Sequence, residues 1–365
     1  MKLWNNGIDI KIYGESHAPE IGLLLKGIPK NMLINLDHLQ NHLNRRKSVN
    51  TEYSTKRFEP DIMQIESGIV DGVTDGSVIK ISIKNTNVKS SDYKNLNSIP
   101  RPSHADYPAF VKFKGQLNMS GGGPFSGRLT APLTVAGGIA AQILNQRFAV
   151  TLFSHITRIG IAGYNSLEYL DTLTEERVAL IKNDSMPVLD ESLKTGMLAC
   201  ISDAFKCGDS LGGVVESIAF NLPVGWGGAL FDGIESKLAP LLFGIPAVKG
   251  VEFGSGFLLS GMRGSVANDQ MVYKNDKVLC LTNNNGGITG GMTNGMPIVV
   301  RVAFKPTPSI SIPQKSVNLV THENVILEIK GRHDVCFVPR ALVVVESALA
   351  LALLDSALET DHFSD

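Results

Sequence analysis

Three histidines in this chain stand in short polar phrases whose residue types are suited to acid–base chemistry. The phrases are Gly14-Glu15-Ser16-His17, Arg101-Pro102-Ser103-His104-Ala105-Asp106 and Gly331-Arg332-His333-Asp334. Imidazole is the side chain best suited to moving protons near neutral pH. Arginine, present in two of the phrases, binds phosphate and carboxylate groups through several N–H donors. The combination predicts proton transfer on an anionic substrate.

Glycine- and proline-rich segments are candidate binding loops. Gly121–Arg128 (GGGPFSGR) precedes an apolar run, and such a turn can present backbone N–H groups to an anion, although turns of this kind are more often structural. It matches neither a Walker loop nor a dinucleotide fingerprint. Lys305–Ser309 (KPTPS) is a rigid segment that cannot continue a central strand, because its prolines lack ladder donors. It suits a sugar-like or ribityl phosphate chain, or it is an ordinary edge turn.

Two charged groups are less specific. Arg45-Arg46-Lys47 ends the helix-like stretch Leu36–Leu43, where cations commonly compensate the helix dipole. Arg57 with Glu59-Pro60-Asp61 has a solvated face as its simplest interpretation.

Composition narrows the class of protein. The 365 residues are 43 % hydrophobic, with 34 Lys and Arg against 35 Asp and Glu, so nothing indicates nucleic acid or a membrane as a partner. The four cysteines lack metal-ligand spacing and are interpreted as reduced cytosolic thiols, and no metal site is predicted. The N-terminus lacks a signal region, and the apolar stretch Ala341–Leu354 is interrupted by Glu346 and too short to span a bilayer. We expect a soluble cytoplasmic protein.

The chain also repeats itself. SGIVDGVTDGSVIKISI at 67–83 matches GGITGGMTNGMPIVVRV at 286–302, and both end in the apolar–polar alternation of a strand. Gly14 leads to Pro29 with the same spacing as Gly208 leads to Pro223. A weaker pair is Arg128 before the run 129–144 and Arg340 before the run 341–354. Chance similarity among glycine-rich turns is the alternative, but the common order favours duplication.

The repeat predicts the architecture. We infer two similar halves, roughly 1–147 and 200–365, with 148–199 as an intervening segment that carries a charged helix-like stretch, Thr172–Asn183. Each half would be a sheet covered by helices, including 36–43 and 231–242, and the two together would form a single α+β domain, a layered sandwich. Where the first half has His17, the second has Leu211. The turn therefore does not require a histidine, which favours a chemical role for His17.

Seven phrases, in order along the chain, closely resemble chorismate synthase. They are GESH at 14–17, RPSHADY at 101–107, SGGGPFSGRLTA at 120–131, IPAVKGVEFGSGF at 245–257, NNNGGITGG at 283–291, KPTPSI at 305–310 and GRHDVC at 331–336. The resemblance implies a β-α-β sandwich and a homotetramer. It also implies a carbon–oxygen lyase of the shikimate pathway, which supplies aromatic amino-acid biosynthesis. Such an enzyme converts 5-enolpyruvylshikimate 3-phosphate to chorismate and phosphate by a 1,4-anti elimination that requires reduced FMN without net redox change.

The resemblance also implies roles for individual residues. The catalytic residues are His17, which protonates the departing phosphate, His104, which protonates the anionic reduced flavin, and Asp334, which helps the flavin accept the substrate proton. The substrate-binding residues are Arg45, Arg46, Arg101, Arg128 and Arg332. The FMN-binding residues are Ser126, Pro246, Ala247, Gly290, Lys305, Thr307, Pro308, Ser309 and Arg332.

Some positions depart from the family pattern. Pro124 and Phe125 replace an arginine and a serine, so the flavin phosphate would rely on backbone donors and Lys305. Glu52 replaces an arginine linked to NADPH, which indicates a monofunctional enzyme served by an external flavin reductase or a reduced flavin pool. Further departures are Lys47-Ser48-Val49 after the arginine pair, Ala18 and Ser103 in place of glycines beside the histidines, and Val335 in place of a proline. The alternatives are a decayed, non-catalytic flavin- or phosphate-binding relative and a bifunctional enzyme with its own NADPH:FMN reductase.

Overall fold

The computed structural model describes residues 7–47, 59–86, 98–117, 119–164, 173, 175–182, 184–274, 276–329 and 334–360. The helices are α1 (Leu36–Asn44), α2 (Asp106–Lys112), α3 (Thr130–Phe148), α4 (Glu175–Lys182), α5 (Glu191–Cys207), α6 (Ile234–Phe243), α7 (Gly264–Ala267) and α8 (Val338–Glu359). The strands are β1 (Asp9–Gly14), β2 (Glu20–Lys26), β3 (Met63–Ser67), β4 (Ile69–Val70), β5 (Val73–Thr74), β6 (Ile79–Lys84), β7 (Thr151–Ile159), β8 (Ala162–Gly163), β9 (Gly213–Phe220), β10 (Val248–Phe253), β11 (Met271–Lys274), β12 (Lys277–Cys280), β13 (Ile288–Thr289), β14 (Met292–Thr293), β15 (Ile298–Phe304), β16 (Gln314–Asn318) and β17 (Glu323–Leu327).

Two antiparallel sheets share one pairing scheme. The first has the strand order β1-β2-β6-β3 and the second β10-β15-β9-β7-β8. Leu25 pairs with Ile79 in the first sheet, and the residues at the corresponding repeat positions, Ala219 and Ile298, pair in the second. The same register continues along both strand pairs. This equivalence supports the proposed duplication and places β7, which lies inside the segment 148–199, in the position that β1 holds in the first sheet.

A threonine makes the same contacts in each half. Thr74 Oγ1 donates to the carbonyl of Pro29 and accepts from the Met32 N–H. Thr293 Oγ1 donates to the carbonyl of Pro223 at 2.6 Å and accepts from the Trp226 N–H at 2.9 Å. Both threonines are 1 % exposed, so these hydrogen bonds satisfy a buried hydroxyl and fix the repeated hairpin against the preceding loop.

The helices form a layer between the sheets. Helix α3 contacts the first sheet, α8 contacts β7 and β9, and the two helices pack on each other. Close approach depends on Gly137, because a Cβ at that position would lie 2.1 Å from the Cβ of Ser347. Helices α1 and α6 flank this pair by packing on α3 and α8, respectively. The predicted α+β class and layered arrangement are confirmed.

Helix α8 is longer than the predicted apolar stretch. Its 22 residues are long and apolar enough to cross a membrane by length and composition, but they are almost entirely buried inside the protein. Glu346 is 1 % exposed and is held by Arg45 and Lys182. Each fully buried leucine contributes roughly 2–3 kcal/mol by removal from water, so α8 is a core helix. The helix predicted at 172–183 is observed as α4 over Glu175–Lys182, with residues 172, 174 and 183 outside the described residues.

Candidate functional site

A cleft of about 790 Å³ lies where loops from both halves meet the N-termini of α3 and α8. Its wall includes eleven of the residues predicted from the sequence: Arg46, His104, Ser126, Arg128, Pro246, Ala247, Lys305, Thr307, Pro308, Ser309 and Asp334. These residues come from segments spread over almost the whole chain. The fold therefore gathers residues of five of the seven phrases into one place, while 14–17 and 283–291 contribute none to the lining.

The glycine-rich turn before α3 brings two histidines together. Gly121 and Gly122 have φ of 63° and 91°, a backbone conformation that favours glycine. A Cβ on Gly121 would lie 2.6 Å from His17 Nε2, and a Cβ on Gly122 would lie 3.7 Å from His104 Nε2. The N–H of Gly122 donates to the Met119 carbonyl, so part of the turn's donor capacity is used internally. The turn thus lets both rings approach with Nε2 facing it.

His104 forms a hydrogen-bonded pair with Asp106. Its Nδ1 lies 2.6 Å from Asp106 Oδ1, and Arg101 binds both oxygens of that carboxylate at 2.7 and 2.9 Å. Burial would raise the pKa of Asp106, but the hydrogen bonds from Arg101 and His104 outweigh it and hold this pKa well below its usual range. Asp106 is therefore ionised at neutral pH.

A buried carboxylate organises two arginines of the cleft wall. Asp61, 1 % exposed, accepts from Arg46 Nη1 at 3.1 Å through one oxygen and from Arg128 Nη1 through the other. Arg128 Nε donates to Asn85, while its buried Nη2 has no hydrogen-bond partner among the described residues. Burial and the neighbouring Arg340 lower the pKa of Arg46 to about 9, so this side chain stays cationic at pH 7 with incomplete compensation. Such a donor set is suited to an anion.

Helix α8 contributes a second pair of opposite charges. Arg340 Nη1 lies 2.5 Å from Asp334 Oδ2, and Arg340 Nε donates to the Arg46 carbonyl at 3.3 Å. This ion pair is partly exposed, with side chains 26 % and 18 % accessible. It therefore orients the Asp334 carboxylate at the mouth of the cleft rather than burying it.

The predicted binding segment 305–309 follows β15 without extending it, as its prolines require. Lys305 Nζ donates to the carbonyl of Ser103, and Ser309 Oγ accepts from Arg101 Nη1 at 3.2 Å. Burial and the nearby Lys249 lower the pKa of Lys305. The segment thus links the cleft wall to the loop that carries His104.

The charge of the cleft lining is positive. Among the described residues, the lining cations are Arg46, Lys47, Arg128, Lys249, Lys305 and Arg340, and the lining carboxylates are Glu59, Asp61 and Asp334. The excess of cations favours ligands that carry several negative charges.

Four of the predicted residues that the structure describes are not part of the lining: His17, Arg45, Arg101 and Gly290. Both terminal nitrogens of Arg45 bind Glu346, at 2.7 and 2.9 Å, so its guanidinium is engaged with α8, and its substrate-binding role stays a prediction. Arg101 is 8 % exposed; it donates to Asp106 and Ser309 and lies beside His104. Gly290 lies in the exposed β13–β14 turn, with φ of 62°. Arg332, His333 and Glu52 lie outside the described residues.

Sequence reasoning missed three functional candidates. Asp106 stands two residues after His104, the position from which it reaches Nδ1. Asp61 was interpreted as part of a solvated face, and that interpretation is wrong because the side chain is buried between two arginines. Arg340 was noted as the repeat partner of Arg128, a signal that could have placed it in the site because both arginines line the cleft.

Two of the departures from the family pattern have visible structural consequences. Ser103, in place of a glycine, has φ of 59°, a left-handed conformation that a residue with a Cβ adopts at a cost. Phe125 is 42 % exposed and lies on the cleft wall rather than in the core.

Comparison with known proteins identifies the family. The family model for chorismate synthase matches residues 8–358. The chain belongs to the chorismate synthase family. The chorismate synthase of Thermococcus kodakarensis is 43 % identical over 351 residues, which are 96 % of each chain. That of Dehalococcoides mccartyi is 42 % identical over 349 residues, which are 96 % of this chain and 94 % of the relative.

A solved structure agrees with this family assignment. A crystal structure of chorismate synthase superimposes with a TM-score of 0.73 and 26 % identity, covering 97 % of this chain and 92 % of the other. The family match spans both sheets and the helices between them. Within the described residues, no group of three or more His, Cys, Asp or Glu side chains could hold a metal ion.

Proposed function

We propose that this chain is a lyase that converts 5-enolpyruvylshikimate 3-phosphate to chorismate and phosphate by a 1,4-anti elimination. The reaction depends on reduced FMN and has no net redox change. The observation that carries the proposal is the cleft itself, where Arg46, Arg128 and Arg340 surround a space that His104 and Asp334 also face. The substrate has one phosphate and two carboxylates, which match this excess of positive charge. Family membership supports the same reaction.

The residues present fit reduced FMN. The cleft volume lies in the range of small-molecule sites, and the buried Nη2 of Arg128 is an unused donor among the described residues. The residues that would hold the cofactor from the lining are Ser126, Pro246, Ala247, Lys305, Thr307, Pro308 and Ser309, with Gly290 and Arg332 added by resemblance. When bound, reduced FMN supplies electron density to the carbon that loses phosphate.

The protein's own groups would bind the anions and move the protons. Arg46 and Arg128, fixed by Asp61, and Arg340, at the N-terminus of α8, would orient phosphate and carboxylate groups. The elimination breaks a C–O bond to phosphate and a C–H bond. His17 would donate a proton from Nε2 to the departing phosphate. His104 would hold a proton at its Nε2, and Asp334, oriented by Arg340, would assist removal of the proton from carbon.

We further propose that the enzyme is monofunctional. The sequence contains no dinucleotide fingerprint, and Glu52 stands where a family arginine is linked to NADPH. The reduced flavin would come from an external flavin reductase or a reduced flavin pool. With oxidised FMN and NADPH in air, we expect no sustained turnover; sustained chorismate formation would instead establish the bifunctional alternative.

The homotetramer and the cytoplasmic location are proposals of the same kind. Several large apolar side chains of the second half are well exposed, including Phe231 at 88 %, Phe257 at 83 % and Tyr273 at 74 %. Exposed apolar surface of this kind is typical of contacts between subunits. Light scattering of the purified protein should give four times the chain mass of 39.3 kDa.

The function is tested by an anaerobic assay. The enolpyruvyl substrate is supplied with photoreduced FMN, and chorismate is followed by absorbance. We expect turnover by the wild-type protein, a large loss in His104→Ala, and wild-type rates in His38→Ala, a matched control in which an exposed histidine of α1 is removed. A folded wild-type protein that binds FMN without forming chorismate would support the decayed-relative alternative.

A further inference from the structure

We propose that Asp106, clamped by Arg101, is a positioning residue that fixes His104 in the tautomer with its proton on Nδ1, so that Nε2 is the atom that exchanges protons in the cleft. The catalytic consequence rests on the proposed function, but the tautomer itself does not. This role for Arg101 differs from the substrate-binding role that the family resemblance implies.

The geometry of the pair carries the first step. His104 Nδ1 and Asp106 Oδ1 are 2.6 Å apart, and their side chains are only 16 % and 8 % exposed. An ionised carboxylate can only accept hydrogen bonds. A contact this short therefore requires a proton on Nδ1, and a neutral imidazole has one N–H. It follows that Nε2 carries the lone pair in the neutral ring.

The second step is that Asp106 cannot turn away. Arg101 Nε donates to Oδ2 at 2.7 Å, Arg101 Nη2 donates to Oδ1 at 2.9 Å, and the Arg101 backbone N–H donates to Oδ2 at 3.0 Å. Bidentate arginine–carboxylate pairs are geometrically specific. Arg101 is itself fixed by Ser309 Oγ at 3.2 Å. Three hydrogen bonds from Arg101 thus hold the Asp106 carboxylate in place, and a fourth holds Arg101 itself.

The third step removes the alternative pairing. Arg101 Nη2 also lies 3.0 Å from His104 Nδ1 and would donate to it if Nδ1 were bare. That arrangement would set the Nδ1 lone pair against an ionised carboxylate at 2.6 Å, which is repulsive. With a proton on Nδ1, the same contact is a favourable hydrogen bond. Arg101 Nη2 then donates to Asp106 Oδ1 rather than to His104.

Within the part of the chain that the structure describes, the charged and titratable groups near His104 come from three segments. From its own loop they are Asp106 and Arg101, and from the segment after β15 there is Lys305, which donates to the Ser103 carbonyl. Across the glycine-rich turn lies His17, whose Nε2 faces Gly121 while His104 Nε2 faces Gly122. Asp106 is the one carboxylate among these groups, so it is the group that can accept a hydrogen bond from Nδ1 of His104.

The tautomer is tested by ¹⁵N NMR of protein labelled at histidine, with the His104 signals identified from His104→Gln. In the wild type at a pH where the ring is neutral, we expect a protonated Nδ1 and an unprotonated Nε2. In Asp106→Asn, that preference should be lost or reversed. A neutral wild-type ring protonated on Nε2 would overturn the proposal, and this observation does not depend on activity.

Kinetic measurements then distinguish a positioning role of Asp106 from a purely structural one. We expect Asp106→Asn to lower kcat by about 10–100-fold, as for partners that orient a functional histidine, with little change in KM. The basic limb of its pH–rate profile should move to lower pH, and Asp106→Glu should restore part of kcat. A fall in kcat with an unmoved profile would show that Asp106 acts only structurally.

Glu216→Gln is the matched control. It removes the carboxylate 2.9 Å from His155, in a buried pair of the second sheet away from the cleft. It should alter the His155 nitrogen signals and leave those of His104 and kcat unchanged. If His104 shows the predicted tautomer in a protein that makes no chorismate, the proposed function fails and this inference stands. If the protein makes chorismate but the neutral His104 ring is protonated on Nε2, the proposed function stands and this inference fails.

Discussion

In the first half of the molecule, the turn after β1 carries Ser16 and His17 and packs against Gly121 of the glycine-rich turn. In the second half, the turn before β9 carries Ser210 and Leu211. Ser210 Oγ donates to the Thr307 carbonyl at 2.7 Å, and the Leu211 N–H donates to the Val335 carbonyl at 2.7 Å. One turn offers a proton-moving side chain, and the other holds two cleft segments in place. The comparison teaches that the repeated scaffold supplies the position, while the side chain decides between chemistry and support.

The largest expected effect comes from substituting the residue that differs between the two turns. His17→Ala should lower kcat by roughly 10²–10⁴-fold, the range for loss of a general acid, with little loss of stability. Leu211→Ala should keep kcat within about twofold but cost about 1–3 kcal/mol, because it removes apolar packing. Steady-state kinetics and urea unfolding of both variants check the contrast. Equal losses of kcat would mean that the two turns do not divide their roles in this way.

The next largest effect concerns the arginine–aspartate contacts near the N-termini of α3 and α8, which should differ in how much they stabilise the protein. Asp61→Asn leaves two buried guanidiniums without their carboxylate and should destabilise the protein by about 3–5 kcal/mol. Asp334→Asn disrupts a partly exposed pair and should cost at most about 1 kcal/mol, while still lowering turnover. Thermal unfolding with parallel assays measures both. A mild effect of Asp61→Asn on stability would contradict its role as the organising carboxylate.

Two buried titratable residues, His42 and Asp355, should contribute to the pH dependence of stability with opposite signs. Burial between α1 and α8 lowers the pKa of His42 to about 3, so below about pH 6.5 the unfolded chain binds a proton that the folded state does not. This removes up to about 1.4 kcal/mol per pH unit on acidification toward pH 3. Burial raises the pKa of Asp355, beside Lys237, so its contribution is present at low pH and lost as pH rises.

Urea unfolding at a series of pH values tests these signs. His42→Gln should flatten the loss of stability between about pH 6.5 and pH 4, whereas Asp355→Asn should not. An unchanged slope in His42→Gln would show that other groups dominate the acid response.

The smallest effect compares the two histidine loops. Ser103 has φ of 59°, so Ser103→Gly relieves a left-handed strain of about 1 kcal/mol, partly offset by the entropy of the unfolded chain. A net gain of about 0.5 kcal/mol is expected. Ala18, the other residue in place of a family glycine, is not among the residues with positive φ, and Ala18→Gly should cost about 0.5–1 kcal/mol. Urea unfolding midpoints of Ser103→Gly and Ala18→Gly, taken with equal m-values, compare the two variants. Stability changes of the same sign in both would contradict this explanation.

Local patterns predicted α1, α3, α4, α6 and α8 and the repeated hairpins, but not α2, α5 and α7. The apolar runs that follow Arg128 and Arg340 lie in α3 and α8, because long apolar runs form buried helices. The position of β7 was not predicted, since it is defined by pairing with β9, more than fifty residues away. Strand β7 takes the position in the second sheet that β1 takes in the first, but the sequence repeat does not include these two strands.

The arginines show why site residues are harder to assign. Arg45 and Arg46 are adjacent at the end of α1, yet consecutive helical residues project about 100° apart. Arg45 therefore reaches Glu346 on α8, and Arg46 reaches Asp61 and Thr130 at the cleft. Spacing along the sequence identified the cluster but not which guanidinium faces the ligand, because that depends on partners distant in the chain.

The most direct test of the proposed reaction is the number of chorismate molecules formed per flavin under anaerobic conditions. With FMN photoreduced once and limiting, and the enolpyruvyl substrate in excess, we predict many chorismates and equal phosphate for each flavin. The flavin should still be reduced at the end, as judged by its absorbance. Chorismate limited to one per flavin, with the flavin oxidised, would contradict an elimination without net redox change.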